Sequence, residues 1–177
     1  DLLENLLHNC DVPPPGTQLF PELNGNKLVV VSAAGNGGNN APIYPAGNRI
    51  NPQLGVGAST RMENLAVFST INRDDEARFI RAVAPGENIV SSLPGGRYGL
   101  WSGTSMAAPV AAGVAALVKA RFPASAPHDV VDQLVETGIR WECNHPSRGP
   151  IRTNRVDAFC ALTGNMDCGS NPSACTQ

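Results

Sequence analysis

Residues 103–118, GTSMAAPVAAGVAALV, place a serine two positions after a glycine and then run into alanine and valine. Two readings compete for Ser105. Serine is a favoured helix cap, and most serines before apolar helices do only that job. A nucleophile at the mouth of a buried helix needs the same position. Ala107, Ala108, Ala111, Ala112, Gly113, Ala115 and Ala116 make a helix thin enough to pass through the middle of a domain. Proline is tolerated in the first helical turn, so Pro109 sets the helix start near Ser105, and Pro123 stops it after about Arg121. The positive end of the helix dipole then faces the serine and favours negative charge developing there.

Around this helix the chain alternates strand and helix signals. KLVVVSA (27–33) is a continuous β-branched run, predicted to be a strand buried on both faces. LGVGAS (54–59) and ENLAVFS (63–69) read as strand pieces, FIRAVA (79–84) as a buried strand, and NIVSSLP with RYGLWSG as a hairpin. The leucines of DLLENLLHNC predict a short opening helix, residues 11–26 a loop, and NRDDEAR (72–78) a charged turn. SAPHDVVDQLVETG predicts a helix capped by Ser125 and stopped at Gly138, and TNRVDAFCAL (153–162) a last short helix. Buried strands interleaved with helices give an α/β fold with a mostly parallel sheet.

The 177 residues suffice for one domain with a sizeable core, and a net charge of -2 gives no bias toward nucleic acid. No apolar run reaches the ~20 residues of a membrane span. Nor does a signal peptide open the chain, and a start at Asp1 inside a helical pattern suggests a mature or cleaved product. The five cysteines lack C-x-x-C spacing, which leaves a metal site unsupported. Three of them crowd the last eighteen residues, as in the stapled tail of a secreted protein. The connectivity is open. Because the count is odd, one cysteine lacks a partner within the chain, and isolated Cys10 is the expected one.

GTSMAAP followed by VAAGVAALV resembles the catalytic-serine motif of the subtilisin-like serine proteases, the subtilases. VVVSAAGN (29–36) resembles the family's strand ending in the oxyanion-hole asparagine. YPA (44–46), GVGAS (55–59), FST (68–70), APG (84–86) and LPGGRYGLWSG (93–103) follow in the family's order, so the resemblance spans roughly residues 1–140. It implies residues 1–163 as the C-terminal portion of a three-layer peptidase domain, with 164–177 a cysteine-containing tail. The central helix of that fold would start at the catalytic serine. The resemblance makes Ser105 the nucleophile and Asn36 the side chain whose NH2 binds the oxyanion, alongside the Ser105 N–H. Ala33, Ala34 and Gly35 would line the primary specificity pocket, Ile43 and Tyr44 would approach its floor, and Thr104 would complete the substrate-binding set. Tyr44-Pro45 matches a position commonly cis in the family.

The family's Asp and His motifs are absent. His8, in the opening helix, His128, in the first turn of a later one, and His145, in a loop, are poor substitutes for the base. The expected partner is therefore an N-terminal half of the domain carrying both residues, with protein or peptide as substrate and no nucleic acid or membrane. Alone, the chain is expected to be inactive, since a serine without a base is a weak nucleophile. The family often has histidine after the MAAP segment, where this chain has Val110; that histidine is not the catalytic one. Arg81 stands where many relatives place a cation-holding aspartate, so no calcium is expected beside it, although calcium elsewhere in a complete protein is compatible. Asp74, Asp75 and Glu76 read as a solvated turn.

Three alternatives are weaker. An inactive binding module on the same fold has no need for both the GTS motif and Asn36. A dinucleotide loop fails because Asn40 stands where a third glycine is required and Pro42 follows instead of a helix. An α/β-hydrolase requires glycine two residues after the serine, where Ala107 stands. The expected localisation is extracellular.

Overall fold

The computed structural model describes residues 28–48, 52–72, 79–145 and 149–170, with the side chains of 143–145 left aside. The opening helix, the loop at 11–26, His8, Cys10, the acidic trio at 74–76 and Cys175 lie outside these residues.

A five-stranded sheet runs in the order β1-β2-β3-β7-β6. It comprises β1 (Val30–Ala33), β2 (Gln53–Ser59), β3 (Ala82–Pro85), β6 (Ile139–His145) and β7 (Gly149–Arg155). The pairings β1–β2, β2–β3 and β3–β7 are parallel, and β6–β7 is antiparallel. Every residue of β2 is buried, as its central place requires. Gly55 is obligatory there, because a Cβ would lie 2.1 Å from the Phe79 carbonyl oxygen. β1 departs from expectation. It is half-buried rather than buried on both faces, because it forms the outer edge of the sheet among the described residues.

Alternation along the strands assigns the two faces. Leu54, Val56, Ala58, Ala82 and Ala84 point to one core, with Val156. Val83 and Ile151 point to the other, with Ile80, Trp141 and Ile71. The first core is closed by α1 (Thr104–Arg121), α2 (Pro127–Glu136) and α3 (Ala158–Thr163). α1 crosses β1, β2 and β3 and buries Ala107, Ala111, Val114, Ala115 and Val118 against them. It starts one residue before Ser105, with Gly103 as N-cap. Pro109 is thus its sixth residue, in the second turn rather than the first, and its missing N–H leaves the Ser105 carbonyl without its usual i+4 donor. At the far end Lys119 Nζ donates to the Pro123 and Ser125 carbonyls, complementing the negative end of the dipole.

Three further expectations need correction. ENLAVFS forms no strand, only an isolated bridge between Leu65 and Ser59. Ser125 does not cap α2; the N-cap is Ala126, whose N–H donates to the Asp129 carboxylate. Residues 153–155 belong to β7, and the last helix begins at Ala158, capped by Asp157 accepting the Cys160 N–H. The hairpin of β4 (Ile89–Leu93) and β5 (Arg97–Trp101) is as expected. Its turn uses Gly95 and Gly96 with φ of 80° and 70°, a backbone conformation that other residues rarely adopt.

A candidate active site at the head of the central helix

The site lies where β1 ends and α1 begins. Parallel sheets place their ligands beyond the carboxyl ends of the strands, where helix N-termini also gather. Past Ala33 the chain makes Ala34 N–H donate to the Val56 carbonyl and then turns at Gly35, with φ of 106°. A Cβ at Gly35 would meet the Ile43 side chain at 2.8 Å, so glycine answers both a backbone and a space requirement. Asn36 emerges exposed from this turn.

Three hydrogen bonds then tie this turn to the helix start across 68 to 69 residues of sequence. Gly35 N–H donates to Thr104 Oγ1 at 3.0 Å, and the Thr104 hydroxyl donates to Asn36 Oδ1 at 3.0 Å. The Thr104 N–H donates to the same Asn36 oxygen at 2.9 Å. Asn36 therefore caps α1 from a different part of the chain, doing what a side chain at the N-cap usually does. Its carbonyl oxygen is engaged, which turns its NH2 group outward. That nitrogen sits beside Gly103, where a Cβ would come within 3.2 Å of it.

Ser105 is exposed at the second helical position. Its N–H is one of those that the first turn leaves without an intrahelical acceptor. An exposed hydroxyl, an amide NH2 beside Gly103 and a first-turn backbone N–H thus lie at the positive end of an 18-residue helix. Charge developing on an oxygen placed among them meets donors that need no reorganisation. Ser105 does not cap the helix, which removes the first reading of its hydroxyl.

The remaining candidate residues surround this point. Ala34 and Gly35 are buried and Ala33 half-buried, while Thr104 is buried with its hydroxyl used inside the fold. Ile43 and Tyr44 are exposed at 44% and 73%. The Tyr44-Pro45 peptide bond is cis. Gln53 fixes this segment, its side-chain amide donating to the Pro45 carbonyl at 2.7 Å and to Ser32 Oγ at 3.2 Å. Neither Gln53 nor the positioning role of Thr104 was evident from the sequence, because both depend on which loops meet.

The two histidines of the described backbone lie elsewhere. His128 sits in the first turn of α2, beyond the opposite end of α1, whose 18 residues span about 27 Å. Its side chain is half exposed and lies 3.1 Å from Asp129. His145 pairs with Gly149 at the start of β7, hence at the amino-terminal end of the parallel strands and on the far side of the sheet. Arg81 donates to Asp132 at 2.6 Å, in a part-exposed ion pair. Among the cysteines, Cys160 and Cys168 form a disulfide.

A model described as the subtilase family matches residues 15–159. Subtilisin E of Bacillus subtilis (strain 168) is 38% identical over 114 residues, 62% of this chain and 28% of its own length. The halolysin-like extracellular serine protease Nep of Natrialba magadii is 33% identical over 141 residues, covering 80% of this chain and 24% of Nep. Among solved structures, the self-cleaved protease domain of PatA aligns with a TM-score of 0.64 and 30% identity, over 82% of this chain and 52% of that one. A protease from Pseudoalteromonas arctica gives a TM-score of 0.62 and 30% identity, over 77% of this chain and 42% of that one. The chain spans less than half the length of the curated relatives it matches, 40% for subtilisin BL of Lederbergia lenta.

Proposed function

Because the chain belongs to the subtilase family, we propose that it is the serine-bearing half of a secreted endopeptidase. In that reading Ser105 Oγ attacks the scissile carbonyl carbon. The oxyanion forms between the Asn36 NH2 and the Ser105 N–H, and the acyl-enzyme is then hydrolysed by water. The observation that carries this reading is the anchoring of Asn36 Oδ1 on Thr104, which aims the amide NH2 at the head of α1. The proton on Ser105 Oγ goes to a histidine, oriented by an aspartate, on an N-terminal half of the domain.

The surface of α1 supports this division. Pro109, Gly113, Ala116, Leu117 and Ala120 are exposed along one stripe that begins at Ser105. A helix that is apolar all round belongs in an interior, so this stripe suits a second helix packed alongside. Small side chains let the partner approach closely enough for its imidazole to reach Ser105. The Arg81–Asp132 pair supports a fixed charge in place of calcium at that point. Secretion is supported by the Cys160–Cys168 disulfide and by the name of Nep. A relative named as intracellular, the major intracellular serine protease of Bacillus subtilis, shows why the disulfide weighs more here than family membership.

Mixing the chain with a separately produced N-terminal half of a subtilisin tests the proposal. Hydrolysis of a peptide anilide is expected from the mixture, and none from either half or from a mixture carrying Ser105→Ala. A mixture that forms a complex but turns over no substrate would favour an inactive binding module.

A further inference from the structure

Among the described residues β6 ends the sheet on the side opposite β1, and its inward partner is β7. In an antiparallel pair, alternate residues turn their backbone groups away from the partner. The Arg140 N–H faces outward, because it donates to the Gly169 carbonyl at 3.2 Å, and Arg140 also bridges to Ser170 in parallel sense. The chain after α3 therefore folds back along the exposed edge. It reverses at Gly164 (φ 70°), whose N–H closes onto the Cys160 carbonyl, and turns again at Gly169 (φ 91°).

Among the described residues little else holds this segment. Residues 163–167, 169 and 170 are exposed, including Met166 at 65%, so it buries almost no apolar surface of its own. Its firm attachment is the disulfide from Cys168 to Cys160, eight residues apart. Cys160 is buried in α3, which Gln133 of α2 grips through a hydrogen bond to the Ala161 carbonyl.

We propose that the Cys160–Cys168 disulfide is a redox-sensitive strap lock. Oxidised, it keeps Gly169 and Ser170 on the outer edge of β6. Reduction by a dithiol breaks the S–S bond, and two electrons and two protons yield two thiols while the dithiol closes to its own disulfide. The strap then leaves and the edge lies open, whereas β6 stays paired with β7. An open edge of this kind is a template for unwanted strand pairing, which gives the lock its use.

Hydrogen exchange on the full 177-residue chain tests this, comparing the oxidised protein, the same protein after dithiothreitol without denaturant, and Cys168→Ser. Even an eight-residue cross-link removes chain entropy from the detached strap, so the Arg140 amide is expected to exchange at least about tenfold faster without the disulfide. The Ile139 and Trp141 amides, which face β7, should keep their protection. An unchanged Arg140 rate in the reduced wild type would overturn the proposal, since the strap would then hold without its lock. Equal loss at Ile139 and Trp141 would overturn it too, showing that the bond supports the whole hairpin.

Discussion

Thr104 joins the two halves of the candidate site. Its hydroxyl accepts from Gly35 and donates to Asn36, in a position with 1% exposure. Thr104→Val removes both bonds, leaving the Gly35 N–H without its acceptor and the Asn36 oxygen with the residue-104 N–H alone. A loss of about 1–3 kcal/mol in chemical denaturation is expected, with Thr104→Ser close to wild type. Asn36→Ala acts on chemistry instead. In the reassembled enzyme, kcat should fall while KM stays nearly constant. The expected scale is roughly 10²–10³-fold, that of removing one oxyanion-hole donor. Ser105 and Asn36 stand out in the sequence because each sits in a short motif, and the structure brings Asn36 to the residue before Ser105. The function of Thr104 within the fold was not legible, because its partners lie 68 and 69 residues away.

At the level of elements, strands and helices were legible where one physical signal dominated. The central helix and the β4–β5 hairpin followed from an alanine-rich run and from two adjacent strand-like segments, NIVSSLP and RYGLWSG. β6 and β7 were missed although they alternate. Trp141, Ile151 and Thr153 are buried while Glu142 and Arg152 are exposed, as strand periodicity requires, but the charged positions resembled a loop. β1 was misjudged because apolar composition reports a preference for burial, whereas its half-burial follows from its place at the edge of the sheet among the described residues. Two elements offer tests. Gly55→Ala forces a methyl group into the Phe79 carbonyl and should cost at least about 3 kcal/mol, seen as a lowered denaturation midpoint. Asp129→Ala removes the acceptor for the Ala126 N–H at the head of α2 and should cost about 0.5–1 kcal/mol.

For the whole molecule, the proposed function makes the sheet, its helical face and the serine at the head of α1 one half of a catalytic arrangement. In that proposal one hydrogen-bonded junction, Thr104 with Asn36, positions the nucleophile and the oxyanion donors, and the exposed apolar stripe of α1 receives the complement. Gly113 tests that packing, since a Cβ there meets nothing within 4 Å. Gly113→Glu should leave the chain folded, or steady it by up to about 1 kcal/mol through helix propensity, yet abolish assembly measured by titration calorimetry. The most direct measurement of the central claim is labelling of Ser105 by a fluorophosphonate, followed by mass spectrometry of the modified peptide. Ser105 is predicted to stay unlabelled in the isolated chain and to label rapidly once an N-terminal half supplying Asp and His is added. Rapid labelling of the isolated chain would contradict the account, because the base would then lie within these 177 residues.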